Sequence, residues 1–138
     1  MIRGEARAEP ELDPEERGAL ARGIREFNEG FFFECHDTLE EMWMGLRGPS
    51  RDFFQGLIQV AVAFYHLTGG NRAGAMSMLS RALKRFEKYP DRYAGFDLGA
   101  HRAELRGWQA RLDEDGPLNA DADLAALPKW RFEDQEGV

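Results

Sequence analysis

Phe53-Phe54-Gln55-Gly56-Leu57-Ile58-Gln59-Val60-Ala61-Val62-Ala63-Phe64-Tyr65-His66-Leu67 is the stretch that decides the fold. It is apolar on almost every side and shows no strict period-two alternation, which predicts a helix enclosed by the rest of the chain. Pro49-Ser50 opens it and Gly69-Gly70 closes it. A bilayer-spanning helix needs about 20 apolar residues. This one is shorter and is interrupted by two glutamines and a histidine, so it reads as the central helix of a water-soluble core.

The segments on either side repeat one pattern. Upstream, Phe32, Leu39, Met42, Trp43 and Leu46 give a second helix its apolar side, over Phe32 to about Leu46, where Gly45, Gly48 and Pro49 break it. Further upstream, Asp13-Pro14-Glu15-Glu16 is a helix start: Asp13 can cap, Pro14 suits the first turn, and Glu16 completes a capping box. Leu20, Ile24 and Phe27 follow at helical spacing, and Asn28-Glu29-Gly30 ends that first helix. Downstream, Asn71 can cap a fourth helix running to about Lys88, with Met76, Leu79, Leu83 and Phe86 inward. A fifth is expected near Ala100 to Leu112, using His101, Leu105, Trp108 and Leu112.

No strand pattern is present. The expected fold class is all-α: a compact bundle of four core helices in two helical hairpins, plus a fifth helix and an irregular C-terminal tail. The expected boundaries are a frayed N-terminus over 1–12, one helical domain over 13–115, and an acidic tail over 116–138. Leu124, Leu127, Trp130 and Phe132 are candidate anchors of that tail.

A chain of 138 residues, 43% hydrophobic, can bury one core. Its net charge of −7 argues against nucleic acid as a partner, because phosphate repulsion opposes approach. Residues 49–92 are locally basic, and Arg81, Lys84, Arg85 and Lys88 form a stripe on the fourth helix. That stripe reads as a solvated face near a helix C-terminus, where the dipole favours cations. Cys35 is the single cysteine, so no internal disulfide is expected. The opening residues carry Arg3, Glu5, Arg7 and Glu9 and no apolar secretory core. These features lead to an expected cytoplasmic location, with no membrane association.

Chemistry concentrates on the second helix. His36 and Glu40 are four residues apart and share a face, while Asp37 and Glu41 pair about 100° round. A histidine and a carboxylate at that spacing can share a cation or act as base and acid. On the third helix, Gln55, Gln59 and His66 share one face amid apolar neighbours. Buried polar groups must be paired, and the second helix is the nearest supply in sequence. This places a polar cluster of Glu34, His36, Glu40, Gln55 and Gln59 at the floor of a groove between helices two and three. Trp43 and Phe54 would wall it.

Three readings of the cluster follow. It is the ligand seat of a binding or interaction module. Alternatively, it serves a metal-assisted hydrolase or other small-molecule enzyme. In that case His36, Glu40 and His66 are the metal candidates, Glu40 or His36 is the general base, and Glu34 or Asp37 supports them. In the third reading it is a satisfied network in a structural protein that pairs with a second copy through its aromatic-rich helices. No motif calls for an organic cofactor; a divalent metal is the one these residue types would accommodate. P-loop, G-x-G-x-x-G, H-E-x-x-H and G-x-S-x-G motifs are all missing. Cys35 and His36 are adjacent on a helix and point about 100° apart, which disfavours a thiol–imidazole pair.

The motifs Phe27-Asn28-x-Gly30, Phe33-Glu34-x-His36-Asp37-x-Leu39-Glu40-x-x-Trp43, Phe54-Gln55-Gly56-Leu57-Ile58-Gln59-x-Ala61, Tyr65-His66 and Asn71-x-x-Gly74-Ala75 resemble the family called domain of unknown function 309. The resemblance covers about residues 20 to 98. It implies a small all-helical bundle with no established activity, and its motif residues fall on Glu34, His36, Glu40, Trp43, Gln55 and Gln59. The family usually has glutamate after the histidine, where this chain has the shorter Asp37.

Overall fold

The computed structural model describes residues 8–114 and 126–133. Five helices run in order: α1 (Pro14–Asn28), α2 (Phe32–Met44), α3 (Arg51–Thr68), α4 (Arg72–Phe86) and α5 (Leu98–Leu112). The fold is all-α apart from one tiny hairpin, β1 (Arg92–Tyr93) and β2 (Phe96–Asp97), between α4 and α5. No described helix is long and apolar enough to cross a membrane.

Local chemistry sets the helix ends. Asp13 and Glu16 form a reciprocal capping box at α1. Gly30 turns the chain into α2 with φ +85°, a left-handed value glycine reaches without strain. Asn71 caps α4 by accepting from the Gly74 backbone N–H at 2.9 Å. Asp97 caps α5 through Ala100, so α5 begins at Leu98 rather than near Ala100. At the other end α4 stops at Phe86, short of the expected Lys88.

The hairpin corrects the expectation of no strands. Ala94 (φ 56°) and Gly95 (φ 78°) form its two-residue turn, both left-handed as a twisted hairpin turn requires. Strands of two residues are too short to carry a legible alternation.

α3 lies at the centre, with α2 on one side and α4 on the other. Phe53, Phe54, Leu57, Val60 and Ala61 on it have no exposed surface. The α3–α4 approach is close because Gly56 has no side chain; a Cβ there would sit 2.5 Å from the Phe86 ring.

The chain after α5 returns to the bundle. Trp130 is buried and its ring stacks on Phe27, with centroids 3.8 Å apart. Asn28 holds that segment through two bonds, accepting from the Trp130 N–H at 2.6 Å and donating to its carbonyl at 2.9 Å. Phe132 stacks on Phe96 of the hairpin. Leu124, expected as an anchor, lies outside the described residues.

Candidate functional site

α2 turns Phe32, Cys35, Thr38, Leu39 and Met42 inward. Its remaining faces hold Glu34, Asp37, Glu40 and Glu41, all exposed, and half-buried His36. Among the described residues, no lysine or arginine pairs with any of these four carboxylates.

The edge of α2 next to α3 is fixed at two places. Near the C-terminus of α2, the Trp43 indole donates to the Arg51 carbonyl at 2.9 Å. The Arg51 guanidinium lies 3.7 Å from the Trp43 ring centroid and donates to the Trp43 and Leu46 carbonyls. This is a cation–π contact combined with capping of the helix end. Near its N-terminus, Phe33 meets Tyr65 of α3 with ring centroids 5.4 Å apart. Helical periodicity puts His36 and Glu40 on this same edge, between the two contacts.

His36 sits between two carboxylates. Its Nδ1 lies 3.3 Å from Asp37 Oδ1 and its Nε2 3.7 Å from Glu40 Oε2. Nδ1 is nonetheless buried without a properly aligned hydrogen bond among the described residues. The Nδ1–Asp37 approach is thus an electrostatic contact and not a hydrogen bond. One ligand atom from each of His36, Asp37 and Glu40 falls within 4.8 Å of the others. Two ligands on one tetrahedral zinc, at about 2.1 Å each, are separated by about 3.4 Å. Small side-chain rotations of two exposed carboxylates would close that difference.

The predicted site residues divide into two groups. Glu34, His36 and Glu40 lie on α2, with His36 and Glu40 brought together. Gln55 and Gln59 do not join them. Gln59 is buried and accepts from Arg85 Nε of α4 at 3.1 Å. Asp52, on the same helix face, accepts from Arg85 and Lys88. The partner of this glutamine therefore comes from α4, not α2, and no shared floor with His36 is formed. Gln55, one turn from both Asp52 and Gln59, is half-buried on that same face. Phe54 has no exposed surface and cannot wall an open groove. Trp43 is half-buried and acts as a pin between helices.

His66 also stands apart from the cluster. Its Nδ1 faces the Asn71 side-chain amide at 3.2 Å, at the α3–α4 turn. In the triad that forms, Asp37 takes the place expected of His66. Read from spacing alone, Asp37 pairs with Glu41 about 100° round from His36 and only supports the metal candidates. Its short carboxylate nevertheless lies within reach of the adjacent ring. The reading of the α4 stripe as wholly solvated is corrected too, since Arg85 and Lys88 bridge to α3.

Two buried titratable groups lie elsewhere. Burial, reinforced by the Glu26 carboxylate, holds the Cys35 thiol far above its ordinary range, so it stays protonated and a poor nucleophile. Burial holds His101 below the ordinary histidine value, partly opposed by Glu104.

Comparison with known proteins reaches the same segment. Residues 20–78 match the family described as Domain of unknown function (DUF309). The DUF309 match runs from within α1 into α4 and contains every candidate residue discussed above. An uncharacterized protein of Aquifex aeolicus (strain VF5) is 31% identical over 80 residues, covering 57% of this chain and 24% of that protein. The uncharacterized protein YpuF of Bacillus subtilis (strain 168) is 35% identical over 75 residues, covering 54% of this chain and 42% of that one. The chain thus spans less than half the length of either curated relative. The DUF309 description and both relatives' names assign no activity, so this chain is an uncharacterised helical protein.

Proposed function

We propose that the protein is a helical binding module whose ligand seat is the α3-side edge of α2, and that this seat takes a divalent cation. The observation that carries the reading is the convergence of His36, Asp37 and Glu40, one nitrogen and two carboxylate donors within 4.8 Å. Their negative charge has no lysine or arginine against it among the described residues. An imidazole with two carboxylates suits zinc or manganese better than calcium or magnesium, which prefer all-oxygen sites. Three protein ligands leave at least one position for water or a ligand group. Phe33 and Tyr65, about half exposed beside the seat, offer apolar surface to whatever the ion holds. A buried single thiol fits a reducing compartment, and we place the protein in the cytoplasm.

The test is calorimetric titration of the full chain with zinc and with manganese, repeated on His36→Ala, Asp37→Asn and Glu40→Ala. The expected result is saturable binding of one ion per chain, a raised unfolding midpoint, and loss of both in each variant. These positions are exposed or half-buried, so the variants should keep the wild-type metal-free midpoint or, where a like charge is removed, raise it slightly. If His36→Ala and Glu40→Ala instead lose several kcal/mol while metals change nothing, the cluster is structural and the reading is wrong.

A further inference from the structure

α4 and α5 pack side by side and are joined by hydrogen bonds at two levels. At one, the Gln109 amide donates to the Ser80 hydroxyl at 3.1 Å. At the other, Arg102 donates to the Phe86 and Tyr89 carbonyls at 3.1 and 3.3 Å. These two ties fix an antiparallel register. Between them the seam opens into a cleft of about 410 Å³ lined by Ser80, Leu83, Lys84, Glu87, Arg106 and Gln109. That volume lies within the usual range for small-molecule sites, about 300–1,000 Å³.

The cleft sets two cations, Lys84 and Arg106, against one carboxylate, Glu87. Lys84 from α4 and Arg106 from α5 both line it, and neither pairs with a carboxylate among the described residues. Nearby, Arg85 and Lys88 bridge to Asp52, and Arg102 meets Asp91. Glu87 offsets one of the two cations, and an anion seated between Lys84 and Arg106 would make a charge-assisted bond to each.

We infer that the α4–α5 cleft binds a small phosphorylated polyhydroxy compound, its phosphate held between Lys84 and Arg106. Arginine supplies a forked donor pair matched to phosphate oxygens and lysine a mobile point charge. Glu87, Gln109 and Ser80 supply the acceptors and donors that hydroxyl groups need. Among the described residues, Leu83 is the one apolar lining residue and no aromatic ring lines the cleft to stack a base. That composition favours a sugar-phosphate-like body over a nucleotide or a nucleic-acid strand. All six lining residues fall outside the DUF309 match, so the cleft is separate in sequence and in place from the α2 seat.

The experiment titrates the full chain at low salt with glucose 6-phosphate, inorganic phosphate and glucose, by calorimetry and by unfolding midpoint. The expected result is one saturable site for glucose 6-phosphate, weaker binding of inorganic phosphate and none of glucose. Lys84→Ala and Arg106→Ala should each weaken glucose 6-phosphate binding at least tenfold, while His36→Ala leaves it unchanged. Both cations are exposed and make no ion pair among the described residues, so the variants should keep the wild-type midpoint without ligand. The inference is overturned if glucose 6-phosphate shows no saturable binding, if either alanine variant binds it like wild type, or if a single-stranded RNA oligomer binds the cleft more tightly.

Discussion

Replacing Trp130 with alanine should destabilise the protein by about 3 kcal/mol, although Trp130 lies in what reads from sequence as an irregular acidic tail. The indole is 1% exposed and stacks flat on Phe27, with Phe96 edge-on at 6.5 Å. A tryptophan buries roughly 150–250 Å². At about 25 cal/mol per Å² that is roughly 4–6 kcal/mol. The indole Nε1 is buried with no partner among the described residues. Such an unmet donor costs about 1–3 kcal/mol, and the truncation relieves it. The difference falls at the lower end of the usual 3–5 kcal/mol for removing a buried tryptophan. Urea unfolding followed by far-ultraviolet circular dichroism measures it without depending on the deleted fluorophore. Trp130→Phe keeps a ring against Phe27 and removes the unmet donor, so it should recover most of the loss. A change under about 1 kcal/mol for the alanine variant would refute the reasoning and leave a unit near 13–115 standing without its returning segment.

Three other outcomes follow from the same physics. Because burial keeps His101 neutral in the fold, below the ordinary value of 6.5 the unfolded chain takes up a proton that the folded one resists. Stability is therefore full above that pH and falls by up to about 1.4 kcal/mol per unit as pH drops below it; urea titrations at two pH values should show this in wild type and not in His101→Leu. Gly56→Ala places a methyl 2.5 Å from the buried Phe86 ring and should cost about 1–3 kcal/mol by thermal melt, despite alanine's better helix propensity. Asp52→Asn weakens the Arg85–Lys88 bridge to α3; with these side chains partly exposed the loss should be about 1 kcal/mol and should shrink in high salt.

How far the sequence could be read depended on whether the deciding interaction was local. Asp13, Pro14 and Glu16 act within one turn, and Asn71 and the glycines at 30 and 70 act within their own turns, so helix ends were visible. The enclosure of α3 followed from its composition alone. Direction was harder. A helix apolar all round has no solvent side from which to measure its polar positions, so nothing local tells Gln59 whether to face α2 or α4. Its partner, Arg85, lies 26 residues away and was hidden in a stripe that looked fully solvated. The hairpin was illegible for the opposite reason, being too short to form a pattern. At α2 the location of the site is readable, but Asp37 reads only as a supporting residue, because backbone angles say little about the reach of adjacent side chains.

Within the matched segment, many residues have a structural task that accounts for them. Trp43 pins α2 to α3, Gly23 admits Leu39, Asn71 caps α4, and Gln59 meets Arg85. The polar residues of α2 have no such account. Glu34 and Asp37, Asp37 and Glu40, and Asp37 and Glu41 are like charges at three- and four-residue spacing, each pair unfavourable by a few tenths of a kcal/mol. Glu40 and Glu41 lie towards the C-terminal end of the helix, where the dipole disfavours anions further. His36, the one group that could offset them, is flanked on both sides without making a hydrogen bond through Nδ1. Packing does not require this arrangement, since four of the five groups are exposed, and folding stability is worse for it. A divalent cation joined to Asp37, Glu40 and His36, as proposed, would reverse each of those terms at once and neutralise the face around them. The adverse electrostatics of this helix face are thus the physical reason to test it with a cation first.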